Sequence, residues 1–372
     1  MTGKMKFAAP CIFGLESVLA FEVRRTGAEN VNVSDGRVTF EGNEEILARA
    51  NLTLSTAERV MIELGSFRAE SFEELFNGVR ALPLEEFIGR DDAFPVKGHS
   101  MNSKLHSIPD CQKIIKKAAV ERLKSSYGVE WFEETGALHQ ISFNLIKDVA
   151  YIYLDTSGAG LHKRGYRRNS NDAPIKETLA AGIIDLARAG KAEAVVDPMC
   201  GSGTFVIESV YKAMNVAVGL RRSFAVEKWA QSDAEVWRRE RSEAMARIEK
   251  NKTFKATGYD IDPACIDLTI ENAKKAGVAS KIQASEQDIR DFKPVKNSVT
   301  ICNPPYGERL LDLKAAEELY RIMGQRLHPD RDNPCFIITP HEEFEKFFGK
   351  KADKKRKLYN GMIKCDLYMY FR

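Results

Sequence analysis

In the second half of the chain, short apolar runs alternate with amphipathic stretches, and turn residues separate them. Ala194-Val195-Val196 is a β-branched run of strand character, and Phe205-Val206-Ile207-Glu208-Ser209-Val210 beyond it is helical. A second strand ends at Gly258-Tyr259-Asp260-Ile261-Asp262. The helix after it runs from Pro263 through Leu268, Ile270 and Ala273 to Gly277, with proline at its start and glycine at its end. Ile282–Ile289, Ser298–Cys302 and Pro334–Thr339 read as three more strands. Lys357–Tyr359 and Met362–Tyr370 read as a hairpin about an Asn360-Gly361 type I′ turn. Strands alternating with helices predict a doubly wound α/β sheet.

The first half has a different rhythm. Lys6–Cys11 is a strand candidate, Leu15–Thr26 a helix, and Asn30–Val33 and Arg37–Glu41 two more strands. This βαββ-like order suggests a small α+β ferredoxin-like unit. The segments Glu44–Thr53 and Glu58–Leu64 and the helix Ser71–Leu82 follow. His106-Ser107-Ile108-Pro109-Asp110 leads into a basic helix. There Lys113, Lys116, Lys117, Arg122 and Lys124 recur at helical spacing, while Ile114, Ile115, Ala118 and Leu123 face a core. Gln140–Leu145 and Asp148–Leu154 read as paired strands about a turn at Lys147. Asn171–Ala181 opens a helix with Pro174 near its start and Ile175, Leu179, Ile183 and Leu186 on one face.

Composition narrows the class. The 372 residues suffice for two or three domains, and 44% hydrophobic is ordinary for a globular chain. No apolar run approaches the roughly 20 residues of a membrane span, and the stretch after Met1 is too short for a signal peptide. Seven scattered cysteines suggest neither a disulfide framework nor a zinc site, and Cys200 and Cys302 read as small buried thiols. A cytoplasmic, metal-free protein is expected. Net charge is only +3, so the local clusters matter more. Leu161-His162-Lys163-Arg164-Gly165-Tyr166-Arg167-Arg168 packs four fixed cations beside two rings, a pattern suited to backbone phosphates and a stacked base. The helix cations and the Lys350–Lys357 cluster are no more than solvated charge when read alone.

Asn303-Pro304-Pro305-Tyr306 carries the most chemistry. Two prolines cannot continue a strand, since each lacks a backbone N–H. The chain therefore leaves Ser298–Cys302 abruptly and presents an amide, bare carbonyls and an aromatic ring together. Those groups suit a flat, NH2-bearing ring. Upstream, Asp197-Pro198-Met199-Cys200-Gly201-Ser202-Gly203-Thr204 sits between strand and helix, where doubly wound sheets bind nucleotide-like ligands. It lacks the lysine of a phosphate loop, and Val206 replaces the third glycine of the dinucleotide fingerprint. Asp260 is placed to accept from ribose hydroxyls and Asp288 from an adenine amine, though either could be only a cap or turn residue.

In this order the features resemble the class I S-adenosylmethionine-dependent methyltransferases, in the branch that methylates exocyclic amines, over about residues 170–372. The resemblance implies a Rossmann-like, mostly parallel seven-stranded sheet closed by an antiparallel hairpin. It assigns the methionine end of S-adenosyl-L-methionine to Asp197, Met199, Cys200, Gly201, Gly203 and Thr204. Asp260 and Ile261 would hold the ribose, and Asp288 and Ile289 the adenine. The helix start at Pro174, Lys176, Glu177 and Thr178 would cap the cofactor's carboxylate. Asn303, which also borders the cofactor, Pro304 and Tyr306 would be the catalytic residues.

Tyr153–Gly158 running into Leu161–Arg167 looks like the end of a THUMP domain, a module that binds structured RNA. The whole chain then resembles the bacterial THUMP-containing guanine-N2 methyltransferases of large-subunit ribosomal RNA. That resemblance divides it into a ferredoxin-like unit (1–60), a THUMP domain (61–160), a basic linker (161–175) and a methyltransferase domain (176–372). Since the chain ends at Arg372, the form with one methyltransferase domain is expected, acting as a monomer on 23S ribosomal RNA or its precursor. Lys113, Lys117, Lys163, Arg164, Tyr166, Arg167 and Arg168 would touch RNA. Arg222-Ser223-Phe224-Ala225 with Glu227 and Trp229 also match the family, and would shape the pocket. Methylation of adenine N6 or of a glutamine amide, and a non-catalytic RNA-binding assembly factor, remain as alternatives.

Overall fold

The structure is a computed structural model that describes residues 1, 3–167, 174–306 and 313–372. Its first half contains β1 (Met5–Pro10), α1 (Glu16–Arg25), β2 (Glu29–Ser34), β3 (Arg37–Gly42), α2 (Glu44–Thr53) and β4 (Met61–Arg68). α3 (Phe72–Arg80), β5 (Val96–Met101), α4 (Ile108–Tyr127), β6 (Ile141–Ile146) and β7 (Val149–Asp155) complete it. The strands form one sheet in the order β2-β3-β1-β4-β7-β6-β5. The ferredoxin-like unit and the segment after it therefore share a sheet: β4 pairs antiparallel with β1 on one side and β7 on the other.

Local chemistry explains the elements. Asn43 caps α2 by accepting from the Ile46 N–H, and Ser71 and Glu74 make a capping box on α3. α4 starts at a proline and stops at Gly128 in the left-handed region, φ +64°. Its Cys111, Ile115, Ala118 and Leu123 are buried, and Lys113 and Lys117 lie on its exposed side. The Lys147 turn has positive φ at both Lys147 and Asp148, as a type I′ turn requires. β5 adds a strand that the hydrophobic pattern does not announce. Its Gly98 lies so close to β6 that a Cβ would stand 2.2 Å from the Phe143 carbonyl oxygen.

The second half contains α5 (Glu177–Leu186), β8 (Ala194–Asp197), α6 (Thr204–Ala213), α7 (Ala234–Ala246), β9 (Lys255–Asp260) and α8 (Pro263–Ala276). β10 (Ile282–Glu286), β11 (Ser298–Cys302), α9 (Leu313–Leu327), β12 (Cys335–Thr339), α10 (Phe344–Phe348), β13 (Lys354–Asn360) and β14 (Ile363–Tyr370) follow. The order is β10-β9-β8-β11-β12-β14-β13, parallel except at β14. This is the expected seven-stranded sheet with its antiparallel hairpin. Both faces are covered. Val195, Ile301 and Phe336 pack under α5, α6 and α8, while Val196, Cys302 and Ile337 pack under α9 and α10.

Two expectations change. The hairpin loop is Gly361-Met362, one residue later than expected, since Asn360 pairs with Ile363. Only Gly361 has positive φ there, so the type I′ assignment fails. The segment around Arg222–Trp229 packs on the first half rather than shaping the pocket. Trp229 stacks on His139 at 4.3 Å and donates to the Leu138 carbonyl, and α7 is tied to α2 by Arg49 and Glu240 at 2.7 Å.

Candidate active site

Four parallel strands deliver the site. β10, β9, β8 and β11 are neighbours, so their carboxyl ends bring Asp288, Asp260, Asp197 and Asn303 to one edge of the sheet. The loop after β8 turns tightly, with Gly201 at φ +52° and Gly203 at φ +80°. Gly201 N–H donates to Asp260 Oδ2 at 2.9 Å, which fastens the loop to the end of β9. Gly258 allows the close approach: a Cβ there would lie 2.9 Å from Cys200 Sγ. From α8, Thr269 donates to the Gly201 carbonyl at 2.9 Å and Asn272 to the Ser202 carbonyl at 3.0 Å. Sequence reasoning missed these two. Their signal was a pair of polar residues three apart on the helix face that also carries Ile266 and Ala273.

Asp197 is 2% exposed and receives the Met199 N–H at 3.1 Å. Burial pushes its carboxyl well above the ordinary range, with the nearby Asp260 charge adding to the rise. No cation pairs with Asp197 among the described residues. A buried carboxyl without a cationic partner suits a ligand ammonium, such as the methionine end of the expected cofactor. Asp260 and Asp288 also serve as local caps. Asp260 accepts the Asp262 N–H, and Asp288 accepts from the Arg290 backbone and pairs with its guanidinium at 2.8 Å. Ile289 is buried beneath this edge, whereas Ile261 is exposed.

At the end of β11 the Asn303 side-chain oxygen is buried without a hydrogen-bond partner among the described residues. Pro304 beside it is buried too. Tyr306 Oη accepts from Asn360 Nδ2 at 3.1 Å, and burial pushes the phenol up to about 12. Asn360 was not foreseen, since 54 residues separate it from Tyr306.

The start of α5 is busier than expected. Glu177 is buried and paired with Arg167 at 2.6 Å, and burial raises its carboxyl in spite of that partner. Thr178 donates to Glu58, and Lys176 Nζ lies 3.5 Å from the same carboxylate. Burial alone would raise Glu58, but His162, Thr178 and Lys176 together hold it at about 2. Pro174 stands half-buried just before this turn, and Thr204 accepts from Arg167 at 3.3 Å.

The linker reading needs correction. Arg164 is 2% exposed, paired with Glu208 at 3.3 Å and donating to the Ser55 carbonyl at 2.6 Å. Tyr166, 1% exposed, donates to Glu208 at 3.1 Å. Neither can meet a phosphate or a base. Arg167 is turned inward to Glu177, the Ile175 carbonyl and Thr204. Lys163 alone of the expected linker contacts is exposed among the described residues, while Arg168 and the Asn171–Ala173 stretch lie outside them. No cluster of three or more His, Cys, Asp or Glu side chains is placed to hold a metal, and no helix is long and apolar enough to cross a membrane, among the described residues.

A seven-stranded sheet of this order, with a glycine loop, two edge carboxylates and an Asn-Pro-Pro-Tyr turn, defines a class I methyltransferase. Comparison with known proteins gives the family. Residues 164–369 match the RMKL-like methyltransferase domain, residues 6–61 the RlmL ferredoxin-like domain and residues 69–155 the THUMP domain. The chain belongs to the RMKL-like methyltransferase family, whose methyl donor is S-adenosyl-L-methionine. YpsC of Bacillus subtilis (strain 168) is 42% identical over 99% of this chain and 96% of its own length. The ribosomal RNA large subunit methyltransferase K/L of Psychromonas ingrahamii is 34% identical over 98% of this chain, which spans only 50% of that relative. Among solved structures, SMU.472 complexed with SAH is 41% identical, with a TM-score of 0.93 over 100% of this chain and 99% of that one. A structure titled as a predicted N6-adenine-specific DNA methylase from Listeria monocytogenes is 40% identical, with a TM-score of 0.90 over 99% and 96%.

Proposed function

We propose that this chain methylates an exocyclic base amine in RNA, and that its target is guanine N2 in 23S ribosomal RNA. The observation that carries the reading is the buried Asn303 oxygen at the end of β11, which has no partner among the described residues. A THUMP match and relatives named for ribosomal RNA methylation support RNA over DNA. When bound, S-adenosyl-L-methionine supplies an electrophilic sulfonium methyl. The chain's own work is placement, and such positioning can supply roughly 7–11 kcal/mol in the best cases. Asp197, the glycine loop, Asp260 and Asp288 hold the donor.

Guanine N2 is a poor nucleophile because its lone pair spreads into the ring. Asn303 Oδ1 and the Pro304 carbonyl accept the two amine hydrogens, favour the tetrahedral nitrogen and stabilise its developing positive charge. Tyr306 stacks on the base, a contact worth about 1–3 kcal/mol. No strong general base is required, since the methylated amine loses its proton readily. The base reaches the pocket flipped or already unpaired.

Mass mapping of ribosomal RNA from a deletion strain tests the reading. One N2-methylguanine should disappear, and the intact protein but not Asn303→Ala should restore it. Fully modified RNA in the deletion strain refutes the assignment, and loss of an N6-methyladenine instead moves the target to adenine.

A further inference from the structure

We propose that the β13–β14 hairpin and Phe13 form a landing surface for the single-stranded nucleotides that flank the target base. The proposal rests on the RNA reading above and says where the strand runs.

The hairpin is joined to the pocket. Asn360, the last residue of β13, donates to Tyr306, so the hairpin tip lies one hydrogen bond from the ring assigned to base stacking. Its aromatic face pairs an exposed ring with a half-buried one, from the two halves of the chain. Phe13, 49% exposed in the loop between β1 and α1, meets Tyr359 edge-on with centroids 6.3 Å apart. Gly14 makes that approach possible: it sits at φ +94°, and a Cβ there would stand 2.6 Å from the Lys357 carbonyl oxygen. Met362 at the tip is 99% exposed.

Cations surround these rings. Lys357 is two residues before Tyr359 and Lys364 lies opposite it in register, so both share its side of the hairpin. Both are exposed and neither makes an ion pair among the described residues, whereas Lys355 is held by Glu345 at 2.9 Å. Lysines on an edge strand can serve only to block edge-to-edge pairing. That role calls for no aromatic pair on the lysine face, at the end of a hairpin that borders the Tyr306 turn. Unpaired cations interleaved with aromatic faces fit the phosphates and unstacked bases of single-stranded RNA. A paired duplex offers no free base face, so the occupant is the unpaired strand adjoining the flipped base.

Fluorescence anisotropy on the full chain tests this, with a labelled RNA stem-loop and a fully paired duplex as probes. K357E/K364E should bind the stem-loop at least tenfold more weakly and lower its salt slope by about 2. K357Q/K364Q should show a smaller loss in the same direction. F13A should weaken stem-loop binding by about five- to 100-fold, with duplex binding little changed. Calorimetric affinity for S-adenosyl-L-methionine and the melting temperature should match the parent in all three. Parent-like stem-loop affinity in the variants overturns the surface, and so does an F13A loss that is equal for stem-loop and duplex. A parent chain that binds the stem-loop but methylates no RNA would instead strike the pocket reading, and the affinities would still decide the surface.

Discussion

Asn303 and Tyr306 perform separable tasks at the residue scale. An unpaired buried amide oxygen costs about 1–3 kcal/mol, and an arriving amine N–H relieves that cost at Asn303. Asn303→Ala should therefore lower single-turnover methyl transfer by about 100- to 1000-fold while leaving RNA affinity near the parent value. Tyr306 contributes its ring, so Tyr306→Phe should stay within a few-fold of the parent, and Tyr306→Ala should lose about 1–3 kcal/mol of base binding. A phenol raised to about 12 favours the folded state fully below pH 10, and that contribution fades as pH rises from 10 to 12. The pH–rate profile should thus show no Tyr306-dependent descending limb below pH 10, with Tyr306→Phe as the control. The turn that presents these residues was legible because two prolines and a tyrosine are local signals. The hydroxyl's partner was not, because Asn360 reaches it only through tertiary folding, from the end of an edge strand that β12 and β14 separate from β11.

Elements were legible where their period survived burial. β11 and β12 are apolar on both faces because helices cover both, and they read directly from sequence. β5 alternates between half-buried and exposed positions and carries a glycine, so nothing in its composition marks a strand; its parallel pairing with β6 creates it. The hairpin loop slipped by one residue because Asn-Gly suits a type I′ turn, whereas the register places Gly361 first in the loop. At the glycine loop, packing rather than phosphate chemistry explains Gly258. Gly258→Ala pushes a methyl to 2.9 Å from Cys200 Sγ and should cost about 1–3 kcal/mol. Calorimetry should show that cost as weaker binding of S-adenosyl-L-methionine, because Cys200 belongs to the loop that Asp260 fastens. Glu58 links α5 to the segment between α2 and β4. Its carboxyl, held at about 2, stabilises the fold fully above the unfolded value near 4.5. That support is lost as pH falls from 4.5 towards 2. Glu58→Gln should flatten this part of the stability–pH curve.

Across the whole molecule, the two halves meet on the linker that sequence alone assigned to RNA. A run of cations and rings reads as surface, because no local pattern tells a buried arginine from an exposed one. The telling residue was Glu208, the one charged residue in the stretch Phe205–Val210, where no solvent face is left for it. It is fully buried, and Arg164 answers it from the linker while also holding the Leu161 carbonyl at 2.7 Å and the Ser55 carbonyl beyond α2. Removing one partner of such a pair strands a charge, at a cost of about 3–5 kcal/mol, whereas replacing both by apolar residues can be nearly neutral. Arg164→Met should accordingly lower the denaturant midpoint sharply, and Glu208→Met should do the same. The double variant should recover part of the loss, leaving Tyr166 without its acceptor at about 1–3 kcal/mol. A coupling above about 0.5 kcal/mol in that cycle identifies the linker as a structural bolt between sheet and cofactor cradle. Additive losses, or an Arg164→Met variant of parent stability that loses only RNA affinity, would return the arginine to the nucleic-acid surface.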